Sequence, residues 1–411
     1  MSDQSVIRSG DDRFRVKTAL CSGTAEEAVP KRRKGEKMRV LILSCNTGEG
    51  HNAAGRAMAQ QIEAEGHEAV MMDYMMLSGE KASRRVGGAY VGLVSKLPGG
   101  FGLLYRIGMA WSRSPLGRSP VYWANSLMAD RLAQLLEAEH FDAVLMPHLF
   151  PAEAITCLKR RGIKLPVTVS IGTDYTCIPL WEETDCDFYV IPHEDLAEEY
   201  VCRGISREKL RPFGIPVRMD FQQPCERQEA RRRLGLPGDK RVYLVMSGSM
   251  GFGRIQAFTY ALQSVMGPDG HIVVICGNNQ KLRRIMEREF SGRDSVQIVG
   301  YTDRVAEYMA ACDVLYSKPG GLTSTEALVS GVPMVHTAPI PGCETCNLRF
   351  FTGRGMSVAA KGIVSQVKSG LKLAHDREQA EQMRQCQRRH AKPDAAARIL
   401  ALVREECERR G

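Results

Sequence analysis

Along this chain, short runs that are almost wholly apolar alternate with stretches of helical spacing. Residues 39–45 read as a strand buried on both faces. A glycine-rich loop follows, then a helix from about residue 51 to 65 that Gly66 closes. Residues 69–73, 143–146, 167–171 and 188–191 continue the strand series, with helical patterns between them. The second half repeats the plan. A strand at 241–246 leads into the glycine-rich turn 247–253 and a helix to about 265. Strands follow at 271–276, 295–299, 314–316 and 333–336. Strands alternating with helices imply parallel sheets joined by right-handed crossovers. The expected class is therefore α/β, with two Rossmann-like doubly wound domains facing a cleft. The boundaries expected are a basic tail over 1–37, a first domain over 38–213, a linker over 214–224, a second domain over 225–378 and a charged helical tail over 379–411.

Composition narrows the class. A chain of 411 residues, 44% hydrophobic and 25% charged, has the makings of two or three ordinary cores. Its formal charge of +9 favours an anionic partner or surface. No zinc-finger spacing or RRM signature is present, so nucleic acid is not the expected partner. Thirteen cysteines, odd in number and scattered through apparent strands and helices, fit a reducing compartment. Cys343-Glu-Thr-Cys346 is a single CxxC with no partner pair, and no metal site is expected there. No apolar run approaches the roughly 18 residues of a membrane span. Residues 1–37 lack an apolar signal core, end near Lys31-Arg-Arg-Lys34 and read as a solvated, disordered tail.

One segment differs in kind. Residues 81–129 hold Lys81, Arg84, Arg85, Lys96, Arg106, Arg113 and Arg118 but no acid, interleaved with Leu103, Leu104, Trp111, Trp123 and other apolar residues. That mixture suits an interfacial contact with anionic lipid. The plainer alternative is a helical cap with a solvated basic face.

Candidate chemistry sits on the turns. Ser317-Lys-Pro-Gly-Gly-Leu-Thr-Ser-Thr-Glu326 follows an apparent strand end. Gly320 and Gly321 permit a sharp turn and a close approach to a ligand. A turn of this kind feeding a helix N-terminus holds anions, because free N–H groups and the helix dipole face the ligand. Glu326, one turn inside, would reach ribose hydroxyls. Thr323-x-x-Glu326 also reads as a capping box that needs no ligand. On the first turn, Gly48-x-Gly50-His51 places an imidazole at a helix start, as a base, an anion ligand or a loop cap. With Asp73 the same turn loosely meets a dinucleotide fingerprint. Thr173-Asp174 ends a strand, which aims the carboxylate into the cleft as a base or leaves it to cap a short helix. Glu344 and Asn347, on the loop after the strand near 335, are placed for sugar hydroxyls or are turn formers.

Taken in order, these motifs resemble a known family. Val40-Leu-Ile-Leu-Ser with Gly48-x-Gly-His51, Thr173-Asp174 with Trp181, Gly214-Ile-Pro216, Gly248 to Gly253, Lys318-Pro-Gly-Gly321 with Thr325-Glu326-Ala327, and Pro341-Gly-x-Glu-x-x-Asn347 are similar to the processive diacylglycerol glucosyltransferases and monogalactosyldiacylglycerol synthases. The likeness runs from about Met38 to Arg384. It implies a GT-B fold and an inverting transferase that moves a hexose from a UDP-sugar to diacylglycerol. It implies no metal or other cofactor, since helix dipole and backbone N–H groups meet the leaving diphosphate. Carried onto this chain, it gives Glu326 the ribose, Gly320, Gly321, Leu322 and Thr323 the diphosphate with Ser249 nearby, the backbone near Tyr301 the uracil, and Glu344 and Asn347 the sugar. Asp174 is the expected base, with His51 positioning the acceptor or relaying its proton. Gly48, Gly50, Arg84, Arg85, Arg106, Trp111 and Trp181 fall on the acceptor and membrane side. Cys343 stands where the family usually has Gln and lacks the amide's paired donor and acceptor, which leaves the sugar open.

The expected setting is the cytoplasmic face of the cell membrane, bound peripherally, with UDP-hexose, diacylglycerol and anionic lipid as partners. Competing readings are a GT-B enzyme using a peptidoglycan lipid intermediate, a UDP-sugar epimerase, an NAD(P)-dependent oxidoreductase and a non-enzymatic lipid or nucleotide-sugar sensor.

Overall fold

A computed structural model of the chain describes residues 36–45, 48–79, 98–112, 117–246, 248 and 254–410. The tail before residue 36, Arg84, Arg85 and Ser249 lie outside the described residues. The strands are β1 (Arg39–Ser44), β2 (Glu68–Asp73), β3 (Ala143–Met146), β4 (Val167–Ile171), β5 (Phe188–Val190) and β6 (Leu210–Arg211), then β7 (Arg241–Met246), β8 (Gly270–Ile275), β9 (Val296–Val299), β10 (Val314–Ser317), β11 (Met334–His336) and β12 (Val358–Ala359). They form two six-stranded sheets of order β2-β1-β3-β4-β5-β6 and β12-β11-β10-β7-β8-β9. Every pairing is parallel.

The apolar runs form strands because helices cover both faces of each sheet. β3 and β4 are buried throughout, as central parallel strands must be. Strand order reverses between β1 and β3 in the first sheet and between β7 and β10 in the second. Open α/β sheets bind ligands at such switch points, beyond the carboxyl ends of the strands.

The last two helices divide between the two sheets. Helix Arg377–His390 packs Met383 into the core of the second sheet. Helix Ala395–Arg410 crosses back and buries Ala396, Ile399, Leu400 and Val403 with Val40, Ile42 and Val169 of the first. One apolar cluster runs through both halves, joining Tyr175, Ile215 and Phe221 with Leu322, Phe350 and Phe351.

Candidate active site

The two switch points face each other. Helix Glu49–Ala64 starts after β1, and helix Gly321–Val329 starts after β10. A Cβ built on Gly50 would lie 3.7 Å from Leu322. Between the two helix starts lies a cavity of about 420 Å³, lined by Gly48, Gly50, His51, Thr173 and Asp174 on one side and by Gly248, Tyr301, Lys318, Gly320 to Thr323, Glu326, Cys343 and Glu344 on the other.

On the second half, the helix is capped by Gly320, whose own N–H donates to the Lys318 carbonyl at 2.8 Å. No side chain caps it, so the capping box expected of Thr323 and Glu326 is not made. The helix begins two residues before Thr323, which leaves Thr323 inside the first turn. There the N–H groups of Gly321, Leu322 and Thr323 have no carbonyl of their own helix to bind, and the three residues line the cavity. The close approach made possible by Gly321 is to protein: a Cβ there would stand 1.9 Å from the Thr173 carbonyl oxygen.

Glu326 sits deeper on the same helix. Burial pushes its carboxyl up to about 7, against the pull of Arg218 and Arg56. Both arginines line the cavity, and Arg56 pairs with Glu49. Arg218 donates to the Asp303 carbonyl at 2.6 Å. Lys318 pairs with Glu344, whose other oxygen accepts the Ile340 N–H at 2.8 Å. Tyr301 is largely exposed at the rim.

On the first half, His51 lies in the first turn of its helix and packs edge-on against His148, with ring centres 4.6 Å apart. Its Nδ1 is 2.7 Å from the Pro147 carbonyl and 3.1 Å from the Thr173 hydroxyl. A carbonyl only accepts, so Nδ1 carries the proton and Nε2 keeps its lone pair. Burial holds His51 below its ordinary pKa, while the Asp174 charge and the Pro147 carbonyl oppose that shift. His148 accepts the Phe150 N–H at 3.1 Å, and burial followed by the neighbouring His51 holds it well below the usual value. Asp174 caps no helix. It follows β4 and accepts from the Asn347 amide at 2.8 Å.

Several residues assigned from sequence stand elsewhere. Trp181 is buried in the first core, with its ring centre 6.3 Å from that of Tyr189, so it offers no face to lipid. Trp111 is half-buried and donates to the Gly117 carbonyl at 3.1 Å. Asn347 is fully buried and bonded to protein on every side. Arg106 is exposed on helix Pro98–Trp111 beside half-exposed Leu103, Leu104 and Ile107. The cations Arg56 and Arg218 belong to none of the sequence motifs: Arg218 stands alone between the two halves, and Arg56 is one arginine on a long helix.

Known proteins resemble this chain in sequence and in fold. Residues 51–217 match the family described as monogalactosyldiacylglycerol (MGDG) synthase, and residues 226–390 match glycosyl transferases group 1. The chain is 28% identical to a protein of Glycine max named probable monogalactosyldiacylglycerol synthase, chloroplastic, over 90% of this chain and 72% of that one. It is 26% identical to a processive diacylglycerol beta-glucosyltransferase of Bacillus mycoides, over 90% and 94%. Among solved structures it resembles MurG of Acinetobacter baumannii, with a TM-score of 0.57 and 13% identity over 90% of this chain and 99% of that one. It also resembles a UDP-GlcNAc 2-epimerase of Neisseria meningitidis bound to UDP-GlcNAc, with a TM-score of 0.57 and 13% identity over 89% and 99%. Two Rossmann-like sheets with opposed switch points give this chain a GT-B fold, and sequence matches across both halves make it a glycosyltransferase similar to the monogalactosyldiacylglycerol synthases and processive diacylglycerol glucosyltransferases.

Proposed function

We propose that the protein transfers a hexose from a UDP-sugar to diacylglycerol, inverting the anomeric carbon, while bound peripherally to an anionic membrane face, taken as the cytoplasmic one. The observation that carries this reading is the single cavity that sets His51 and Asp174 opposite the start of helix Gly321–Val329 and Glu326. The N–H groups of Gly321, Leu322 and Thr323 suit a diphosphate, with Lys318, Arg56 and Arg218 as cations lining the same cavity. Glu326 would accept from the ribose hydroxyls and Tyr301 would flank the uracil. Ser249 remains assigned to the phosphate side from its motif alone. These groups can meet the leaving diphosphate's charge from the chain itself, so transfer should persist in excess EDTA.

For the base, the geometry favours His51 over the Asp174 expected from sequence. Its Nδ1–H is fixed by Pro147, which leaves Nε2 to take the acceptor proton. Asp174 then stabilises the imidazolium that forms, as its effect on the His51 pKa indicates. The acceptor hydroxyl attacks the anomeric carbon from the face opposite UDP, the bond to the diphosphate oxygen breaks, and the hydroxyl proton passes to His51.

The lipid acceptor is supported by the relatives' names and by the apolar, basic outer face of helix Pro98–Trp111. The test is incubation with radiolabelled UDP-glucose or UDP-galactose and diacylglycerol vesicles. Label entering the organic phase is expected. Label that stays in water as a new UDP-sugar would identify an epimerase, and label on a polyprenyl-linked acceptor only would identify the peptidoglycan reading.

A further inference from the structure

Asn347 lies at the centre of the contact between the two halves. It belongs to helix Cys343–Gly353 of the second half and is fully buried. Its Oδ1 accepts the Tyr175 N–H at 2.7 Å. Its Nδ2 donates to an Asp174 carboxylate oxygen at 2.8 Å and to the Pro319 carbonyl at 3.0 Å. A carboxamide has two N–H bonds to give, so none is left for a sugar hydroxyl. Two further contacts key the same loop of the first half into the second. The Thr173 carbonyl rests on Gly321. The Tyr175 ring enters the second half's core 4.7 Å from Phe350 and 4.8 Å from Phe351. Its hydroxyl is 3.0 Å from Thr325 Oγ1, which in turn donates to the Gly321 carbonyl at 2.7 Å.

We propose that Asn347 is a positioning residue that holds the Asp174 carboxylate beside His51 only while the two halves are closed, so that closure over the donor completes the proton-accepting pair. Every group Asn347 touches in the first half belongs to the loop that carries Asp174. Opening the halves removes that donor and frees the carboxylate to turn away. Proton transfer then waits for closure, which also protects the sugar from water. The inference rests on the assignment of His51 and Asp174 to proton transfer.

The test uses the full chain with UDP-sugar and diacylglycerol vesicles. Wild type and Asp174→Asn come first. A wild type without transfer sinks the function, and an Asp174→Asn enzyme with normal turnover sinks the pair; each result is separate from the latch. For Asn347→Ala, kcat should fall about ten- to a hundredfold, as for a misplaced reacting group, with the KM for UDP-sugar within about twofold. For Asn347→Asp, two adjacent carboxylates hold a proton more tightly, so the acid limb of the kcat profile should move to higher pH. A tenfold rise in donor KM with an unmoved pH profile would instead make Asn347 a sugar ligand and overturn the proposal. Should Asn347→Asp fail to fold, Asn347→Ala carries the test through its split of kcat from KM, and an unchanged kcat there would also overturn the latch.

Discussion

Gly321 of the second half lies against the carbonyl of Thr173 in the first, so close that a Cβ would stand 1.9 Å from the oxygen. No side chain fits at that distance, and the obstacle is backbone on both sides. Gly321→Ala should therefore hold the halves apart. We expect kcat to fall at least about tenfold and the radius of gyration from small-angle scattering to rise. Gly353→Ala, at the end of helix Cys343–Gly353 and outside the cavity lining, is the control, since nothing lies within 4 Å of a built Cβ. Full activity and unchanged scattering in Gly321→Ala would refute this account of closure.

Glu326 should show opposite effects on binding and stability. Its carboxyl titrates at about 7 in the folded protein against an ordinary 4.5. The folded state thus holds this proton more tightly, and the group costs stability as pH rises from the unfolded value through the folded one. Glu326→Gln should raise the melting temperature of the free protein above pH 7 and leave it nearly unchanged at pH 4.5. The same change should weaken UDP binding by roughly 1–3 kcal/mol at pH 8, the scale of a lost charge-assisted hydrogen bond. Calorimetry showing equal UDP affinity would remove Glu326 from the ribose.

The proton acceptor can be identified by paired variants. His51→Ala should lower kcat by about a hundredfold or more while UDP affinity is kept. Because burial holds His51 below 6.5 and the base works deprotonated, wild-type turnover should decline only at pH values under 6.5. If His51→Ala retains turnover and Asp174→Asn loses it, Asp174 is the base.

A second histidine pair predicts acid sensitivity. His193, buried after β5, accepts the Asp195 N–H at 3.2 Å through Nδ1, and its Nε2 lies 3.0 Å from Nδ1 of His390, at the end of helix Arg377–His390. Burial lowers both pKa values despite Glu194 and Asp195, while Arg354 and Lys392 add positive charge nearby. The folded protein therefore resists protonation that the unfolded chain accepts below about 6.5. The stability this neutral pair contributes is present above that pH and is lost as pH falls toward the depressed values. Melting temperature should drop between pH 6.5 and 5, and His390→Gln should flatten the drop. An equally steep drop in the variant would assign it to other groups.

Helix Pro98–Trp111 should carry membrane binding. One face is held to the protein, with Gly102 against Pro341 and Gly108 against Pro179. The other shows Leu103, Leu104 and Ile107 with Arg106. Replacing the three apolar residues by Glu should abolish vesicle binding without lowering the melting temperature. Arg106→Glu should weaken binding to anionic vesicles and reduce its salt dependence. Equal wild-type binding to neutral and anionic vesicles would contradict the electrostatic part.

Much of the fold was legible because parallel strands buried on both faces leave unbroken apolar runs, as at β1 and β7. The turns after them were legible because glycine clusters and helix starts are local. What sequence could not show is partnership over distance. Asn347 reads as a sugar ligand until Asp174, 173 residues earlier, appears against it. Gly321 reads as room for a ligand until Thr173 fills that room. Trp181, on an apparent loop, falls on the acceptor and membrane side by resemblance, yet a short helical turn folds it into the core. Thr323 carries a capping pattern, but the helix starts earlier because Gly320 already supplies the extended residue at its head.

Helix Ala395–Arg410, the last described element, covers the strands that the chain makes first. On the ribosome, β1 therefore emerges long before its covering helix exists, and Val40 and Ile42 stay partly uncovered until that helix has been made. The amino-terminal half cannot mature as an independent unit in the usual vectorial order. A chain stopped at residue 394, before this helix, would lose the fold of its first half first, although every residue of that half had been made.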